Sequence, residues 1–215
     1  MNNVAPVLPA FLGLLDLLGI AVFALSGALL AARLRQTFVT MAFFALVTGV
    51  GGGSVRDLLI GAPVFWIHDA LVAPVCLGVA LVAWLTPRDW WENEFLEWAD
   101  AAGLAAYAVL GTAKALAYGV PMVPAMMMGV ITGCVGGIIR DVLAGRPSIV
   151  MRPEIYVTAA ALSSALAAGS AWLGLPNVVG WPLAMAAGFA LRGAAIRLKL
   201  ALPAYGGGQR STDRD

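Results

Sequence analysis

Gly52-Gly53-Ser54-Val55-Arg56-Asp57-Leu58-Leu59-Ile60-Gly61-Ala62-Pro63 and Gly136-Gly137-Ile138-Ile139-Arg140-Asp141-Val142-Leu143-Ala144-Gly145-Arg146-Pro147 follow one pattern, Gly-Gly-x-x-Arg-Asp-x-Leu-x-Gly-x-Pro. Each closes a long apolar stretch, and the two copies lie 84 residues apart. The offset holds upstream without a gap: Asp16 maps to Asp100, Gly19 to Gly103, Gly27 to Gly111, Thr48 to Thr132 and Gly49 to Gly133. About a third of the positions in 16–63 recur in 100–147. The chain is an internal duplication that keeps glycines beside charges inside hydrophobic sequence, the way many membrane transport proteins build a polar path.

Composition agrees. Of the 215 residues 61% are hydrophobic and 12% charged, with mean hydropathy +0.88. A soluble domain carries about 25% charged residues, so this chain lacks the charge to cover a water-facing surface. It reads as an integral membrane protein. A net charge of +1 gives no support to nucleic-acid binding. The single histidine, His68, excludes a multi-histidine metal site. Cys76 and Cys134 lie in apolar runs and read as buried packing residues. Met122, Met126, Met127 and Met128 read the same way. The N-terminus has no basic region before its first apolar run, so residues 8–32 are read as a span and not as a cleaved signal.

About 20 apolar residues cross the hydrocarbon as a helix. Seven stretches qualify: 8–32, 37–61, 69–86, 97–118, 121–143, 154–174 and 179–199. The second and fifth are interrupted by glycine, and the fourth contains Asp100. Trp66, Trp84, Trp90, Trp91, Trp98, Trp172 and Trp181 cluster near span ends, as in interfacial belts. Alternate connections carry Arg33 and Arg35, then Arg88, then Arg146 and Arg152, then Arg197, Lys199, Arg210 and Arg214, whereas the other side has almost nothing except Arg56. The positive-inside rule places the N-terminus outside and the C-terminus in the cytoplasm. The expected organisation is a first three-helix repeat over 8–93, a second over 94–176, a seventh helix over 177–200 and a disordered cytoplasmic tail over 201–215. Three spans is an odd number, so tandem copies sit inverted about an axis in the membrane plane.

Glycine has no side chain to hold a helix straight, so Gly49, Gly51, Gly52 and Gly53 are expected to unwind or bend the second span. Gly133, Gly136 and Gly137 do so in the fifth. Unwinding frees backbone groups that must line protein or a wet cavity. Arg56-Asp57 and Arg140-Asp141 cost several kcal/mol at depth unless paired or hydrated. One reading is a broken helix from each repeat, the two meeting near the midplane around an aqueous path. The other is close helix packing by glycine, with Arg-Asp as a solvated turn at the interface. Asp16 and Asp100 are equivalent and suit pairing with the arginines, a place on the ion path, or the positive end of a helix dipole. Lys114 stands where the first repeat has Leu30; it either snorkels or marks a gate. No nucleophile–base set, phosphate-binding loop, dinucleotide fingerprint or metal cluster is present, so the chain reads as no enzyme and as needing no cofactor.

The duplicated motif and seven spans resemble the prokaryotic TRIC family, the trimeric intracellular cation channels, also labelled a glycine transporter domain family. The likeness covers about residues 10–200 and rests on Gly51-Gly52-Gly53-Ser54-Val55-Arg56-Asp57 and on the second copy from Gly136 to Pro147. It implies an all-α homotrimer in the inner (plasma) membrane, in contact with membrane lipids. Each protomer would hold its own pore, lined by kinked helices two and five with helices one and four, passing monovalent cations, chiefly potassium ions. The second copy departs in having Val135 in place of the first glycine of the triplet, so the two helices are not equally free to unwind. The residues alone leave the ion's sign open. Arginines favour anions, while Asp57 and Asp141 neutralise them and freed carbonyls favour cations. On this reading Thr48 and Thr132 face the ion and the arginines hold or gate the helices. A channel, a small-solute (glycine-type) carrier and a non-conducting structural protein all remain open.

Overall fold

The structure is a computed structural model that describes residues 10–91, 93–151 and 155–203. Most of the expected tail, 204–215, lies outside the described residues. The described residues form seven α-helices: α1 (Ala10–Arg33), α2 (Phe38–Leu59), α3 (Val72–Leu85), α4 (Asn93–Ala117), α5 (Met122–Leu143), α6 (Val157–Trp172) and α7 (Asn177–Leu198). They fall on the seven expected spans. The sequence is all-α and its outward surface is apolar: Leu58, Val123, Leu183 and Leu198 are each more than 60% exposed. Only lipid or another protein chain covers such a surface favourably. Together with spans α1, α2, α5 and α7, each long and apolar enough to cross, this makes an integral membrane protein.

The repeat is visible in the packing. α1 lies on α2 and α3, and α4 lies on α5 and α6 in the same way, while α1 on α4 and α2 on α5 join the halves. Gly19 rests against Tyr107 and Gly103 against Phe23, so α1 and α4 run antiparallel. Gly52 rests against the Thr132 carbonyl and Gly136 against the Thr48 carbonyl, so α2 and α5 run antiparallel too. Each contact is the image of the other under the 84-residue offset. Equivalent helices that run in opposite directions are related by a twofold axis across the bundle, which is the inverted repeat. The rings of Phe23 and Tyr107, themselves equivalent, meet edge to face at 5.3 Å.

Of the two expected effects of the glycines, unwinding does not occur. α2 and α5 are α-helical without interruption through Gly49, Gly51, Gly52 and Gly53 and through Gly133, Gly136 and Gly137. No stretch is unwound and no carbonyl ladder is opened. The glycines instead remove side chains where helices touch. A Cβ on Gly52 or Gly136 would enter the opposing backbone, on Gly53 the ring of Phe65, and on Gly133 the Leu104 carbonyl. Gly51 faces Ile139, Gly49 faces Cys76 and Ile20, and Gly137 faces the Tyr156 hydroxyl. Neighbouring helices thus supply the dispersion contacts that the missing side chains would have supplied.

The small-residue face of α6 is also spent inside the protomer. Ala160, Ser164 and Ala168 are buried there, and Gly188 of α7 packs on Ser163. α7 therefore closes the bundle against α4 and α6. Trp181 is buried in that packing and does not sit in an interfacial belt, whereas Trp84, Trp90 and Trp172 are exposed. Both cysteines are free and buried. Met122 and Met127 face outward and do not pack in the core.

Gly52→Ala should cost about 1–3 kcal/mol by forcing the α2–α5 crossing apart, and Gly136→Ala should cost the same. Gly78→Ala, where a Cβ meets open space, should not destabilise. Thermal unfolding in mild detergent checks the contrast; equal melting temperatures for all three would refute the packing role.

Candidate functional site

The Arg-Asp motif sits in the last turn of each long helix. Beyond it the helix ends on the motif's third glycine. Gly61 (φ 66°) and Gly145 (φ 63°) take the left-handed conformation that a side chain resists. The turn closes identically in both copies. The Ala62 amide donates to the Asp57 carbonyl at 2.8 Å, and the Arg146 amide to the Asp141 carbonyl at 3.0 Å. The proline then carries the chain away, and it folds back two residues later.

That return completes the site. In the first copy Asp57 Oδ2 accepts from the Phe65 amide at 3.0 Å, and Oδ1 accepts from Arg56 Nε at 2.8 Å. Arg56 Nη2 and Lys114 Nζ both lie 2.8 Å from the same Oδ1. The Phe65 ring lies under Arg56 and Lys114, with centroid distances of 5.9 and 5.8 Å. Ser54, one turn earlier, accepts from the Trp66 indole at 2.9 Å. In the second copy Asp141 Oδ2 accepts from the Ile149 amide at 3.0 Å, and Oδ1 accepts from Arg140 Nε at 2.9 Å. Phe65 and Ile149 are themselves 84 apart, so the whole loop is duplicated.

Arg56, Asp57, Arg140 and Asp141 are all buried. The solvated-turn reading is half right: the motif ends the helix, but the pair is inside the protein. The midplane reading needs correction as well. Arg56 and Arg140 lie about 9 Å beyond the glycine crossing along their antiparallel helices, at the helix rise of 1.5 Å per residue. They therefore sit on opposite sides of the axis and make two sites.

The two sites differ in their remaining partners. Arg140 Nη1 also pairs with Asp100 at 2.7 Å and donates to Ser26. Its counterpart Arg56 makes no ion pair with Asp16, the residue equivalent to Asp100, although Asp16 lies within electrostatic reach of Arg56 and Lys114. Asp16 instead accepts through its backbone carbonyl from the Tyr107 hydroxyl at 3.3 Å. Lys114 does not snorkel. It bridges α4 to α2 with its side chain only 20% exposed. Thr132 is buried and spends its hydroxyl on the Met128 carbonyl at 2.6 Å. Thr48 is buried with its hydroxyl unpartnered among the described residues.

A cavity of about 100 Å³ opens at the second site. Arg140, Asp100 and Asp141 line it with Arg33, Glu97 and Arg192 of α7. Arg192 lies over the Tyr156 ring at 5.3 Å. Sequence reasoning missed Ser26, Phe65, Ile149, Tyr156 and Arg192. Ser26 was within reach, because it faces Leu110 in the repeat alignment. Phe65 and Ile149 act through backbone amides, which no residue type reveals. Among the described residues no cluster suited to a metal ion occurs.

A family model described as Glycine transporter matches the chain twice, over residues 13–88 and 97–172, once per repeat. A UPF0126 membrane protein of Vibrio cholerae is 39% identical over 91% of this chain and 83% of its own length. The UPF0126 inner membrane protein YadS of Escherichia coli K12 is 38% identical over 89% and 94%. Among solved structures, the TRIC trimeric intracellular cation channel orthologue from Rhodobacter sphaeroides superposes with a TM-score of 0.82 at 38% identity, covering 89% of this chain and all of that one. The chain belongs to the TRIC family. TRIC-family membership agrees with the seven-helix bundle and with the absence of an enzyme motif, since the solved relatives are channels.

The unequal partners predict unequal losses. Asp57→Ala strips Arg56 and Lys114 of their shared acid and should cost about 3–5 kcal/mol of stability. Asp141→Ala should cost less, because Arg140 keeps Asp100 and Ser26. Thermal unfolding in detergent reads the difference; the reverse order would contradict the pairing described.

Proposed function

We propose that the protein is a homotrimeric channel for monovalent cations, chiefly potassium, with one pore inside each protomer. The observation that carries the reading is the pair of buried Arg-Asp sites, one on each side of the α2–α5 crossing, in a chain so similar to TRIC cation channels. Buried charge inside a membrane helix bundle is costly and marks an ion or substrate pathway. The pathway runs between α1, α2, α4 and α5, the four helices that carry Asp16, Arg56-Asp57, Asp100, Lys114 and Arg140-Asp141. The gapless duplication supplies both mouths from one chain, so no neighbour is needed to frame the path.

Cation preference rests on the likeness to TRIC cation channels, since the helices are unbroken and free no carbonyls. At the second site Arg140 is held between two acids, Asp100 and Asp141. Among the described residues no row of ionisable groups joins the two sites to drive uphill transport, which favours a channel over a carrier. The membrane is the prokaryotic inner membrane, as it is for the Escherichia coli relative, and the charge asymmetry puts the N-terminus outside and the cavity at the cytoplasmic mouth. With the α6 face buried, trimer contacts fall to other outward surfaces of the bundle.

Planar-bilayer recording in asymmetric potassium chloride should give unitary currents that reverse toward the potassium potential. Arg56→Ala and Arg140→Ala should each change conductance or open probability; folded variants that conduct like the parent would remove the arginines from the pathway. Saturable glycine uptake without potassium current would establish a carrier instead. Native mass spectrometry should show trimers, and a C-terminal reporter active only outside the cytoplasm should stay silent; monomers alone, or a strong signal, would overturn assembly or orientation.

A further inference from the structure

The turns that end α2 and α5 share a backbone and differ in one side chain. Gly61 and Gly145 take the same left-handed conformation, and the Ala62 and Arg146 amides donate to equivalent carbonyls, those of Asp57 and Asp141. Alanine therefore suffices for the turn. Ala62 is buried, whereas Arg146 is exposed and lines the cavity of about 100 Å³.

The charges around that cavity sort by their partners. Arg140, on the inner wall, is held by Asp100 and Asp141. Arg33 lies within electrostatic reach of Glu97 and also of Arg146, so the charge of Arg146 acts across the cavity. Arg146 itself makes no ion pair among the described residues. The opposite mouth has no such rim: the repeat equivalents of Arg33, Glu97 and Arg146 are Ala117, Gly13 and Ala62. The lysine at that mouth, Lys114, is tied to Asp57. One end of the bundle thus carries a rim charge that neither the turn nor a neighbouring acid accounts for.

We propose that Arg146 is an electrostatic brake on ion entry at the end of the bundle where α7 ends. It lowers the concentration of cations in the cavity, so that current starting from that side is the smaller of the two directions. The inference rests on the channel reading above. Fixed charge at a narrow mouth sets the local concentration of mobile ions. In water one elementary charge changes the concentration of a monovalent ion about twofold at about 8 Å. Salt at about 1 M shortens the screening length to about 3 Å and removes the effect. With the charge on one mouth only, the two directions of flow differ at low salt and converge at high salt.

Two measurements test it. In bilayer recordings with equal potassium chloride on both sides, Arg146→Ala should raise the unitary current in its weaker direction about twofold at low salt, and hardly at about 1 M. Arg146→Lys, which keeps the charge, should match the parent. The second measurement needs no current. Glu97 is exposed on α4 and lines the same cavity. In a background with Cys76→Ala and Cys134→Ala, Glu97→Cys in nanodiscs is labelled with a cationic and with an anionic methanethiosulfonate reagent at low salt. Adding Arg146→Ala should speed the cationic reagent about twofold and slow the anionic one by as much. Unchanged rates would mean that the field of the arginine does not reach the cavity, and would overturn the proposal. Shifted rates with unchanged currents in a conducting parent would overturn it too. A silent parent with shifted rates would sink the channel reading and leave the charged mouth standing.

Discussion

Two helices cross backbone against backbone, and the rest of the molecule follows from that contact. Gly52 rests on the Thr132 carbonyl and Gly136 on the Thr48 carbonyl. In lipid no hydrophobic effect drives helices together, so dispersion at such close approach must hold them. The crossing fixes α2 against α5. Gly27 and Gly111 repeat the device by seating α1 on Thr48 and α4 on Thr132. Once these four helices are set, the last turns of α2 and α5 face inward on opposite sides, and their Arg-Asp pairs are buried.

Burial of those pairs is tolerable because each site neutralises itself locally. The acid follows the arginine in sequence, so the charge pair forms within one helical turn. The loop beyond adds a backbone amide to the second carboxylate oxygen, which leaves neither oxygen of Asp57 without a donor. A buried ion pair gains little unless its remaining hydrogen bonds are met. The third glycine and the proline of the motif serve that requirement, since they turn the chain so that Phe65 and Ile149 come back over the carboxylates. The twelve-residue motif thus encodes a helix face, a charge pair, a helix stop and a return loop.

Much of this was legible. Hydropathy gave the seven spans, and the 84-residue offset gave the duplication and its inversion. The equivalence of Asp16 with Asp100 pointed to partners for the arginines, and Arg140 took Asp100. What misled was glycine itself. A residue that permits unwinding and a residue that permits close approach are the same residue, and only the opposing backbone tells them apart. The alanine and serine face of α6 carries the same ambiguity, because small residues announce a close contact without saying whether the partner is α4 or α7 of the same chain or a helix of another. The backbone donors at Phe65 and Ile149 could not be read at all, since any residue there supplies an amide.

Symmetry also separates what the fold requires from what it does not. The glycines, the Arg-Asp pairs, the left-handed turns and the returning amides recur at 84 residues because each repeat must solve the same packing problem. Ser26 against Leu110 and Leu30 against Lys114 answer no such need. A leucine fills the space in one repeat, so apolar packing alone would accept it in the other. The polar member therefore has another cause, and in both cases it spans the boundary between repeats, at opposite mouths. A perfectly symmetric bundle would tie both mouths alike. Replacing one tie with a buried hydroxyl–guanidinium–carboxylate contact and the other with a lysine–carboxylate pair makes the two ends of the bundle chemically unequal, which the duplicated scaffold by itself would not.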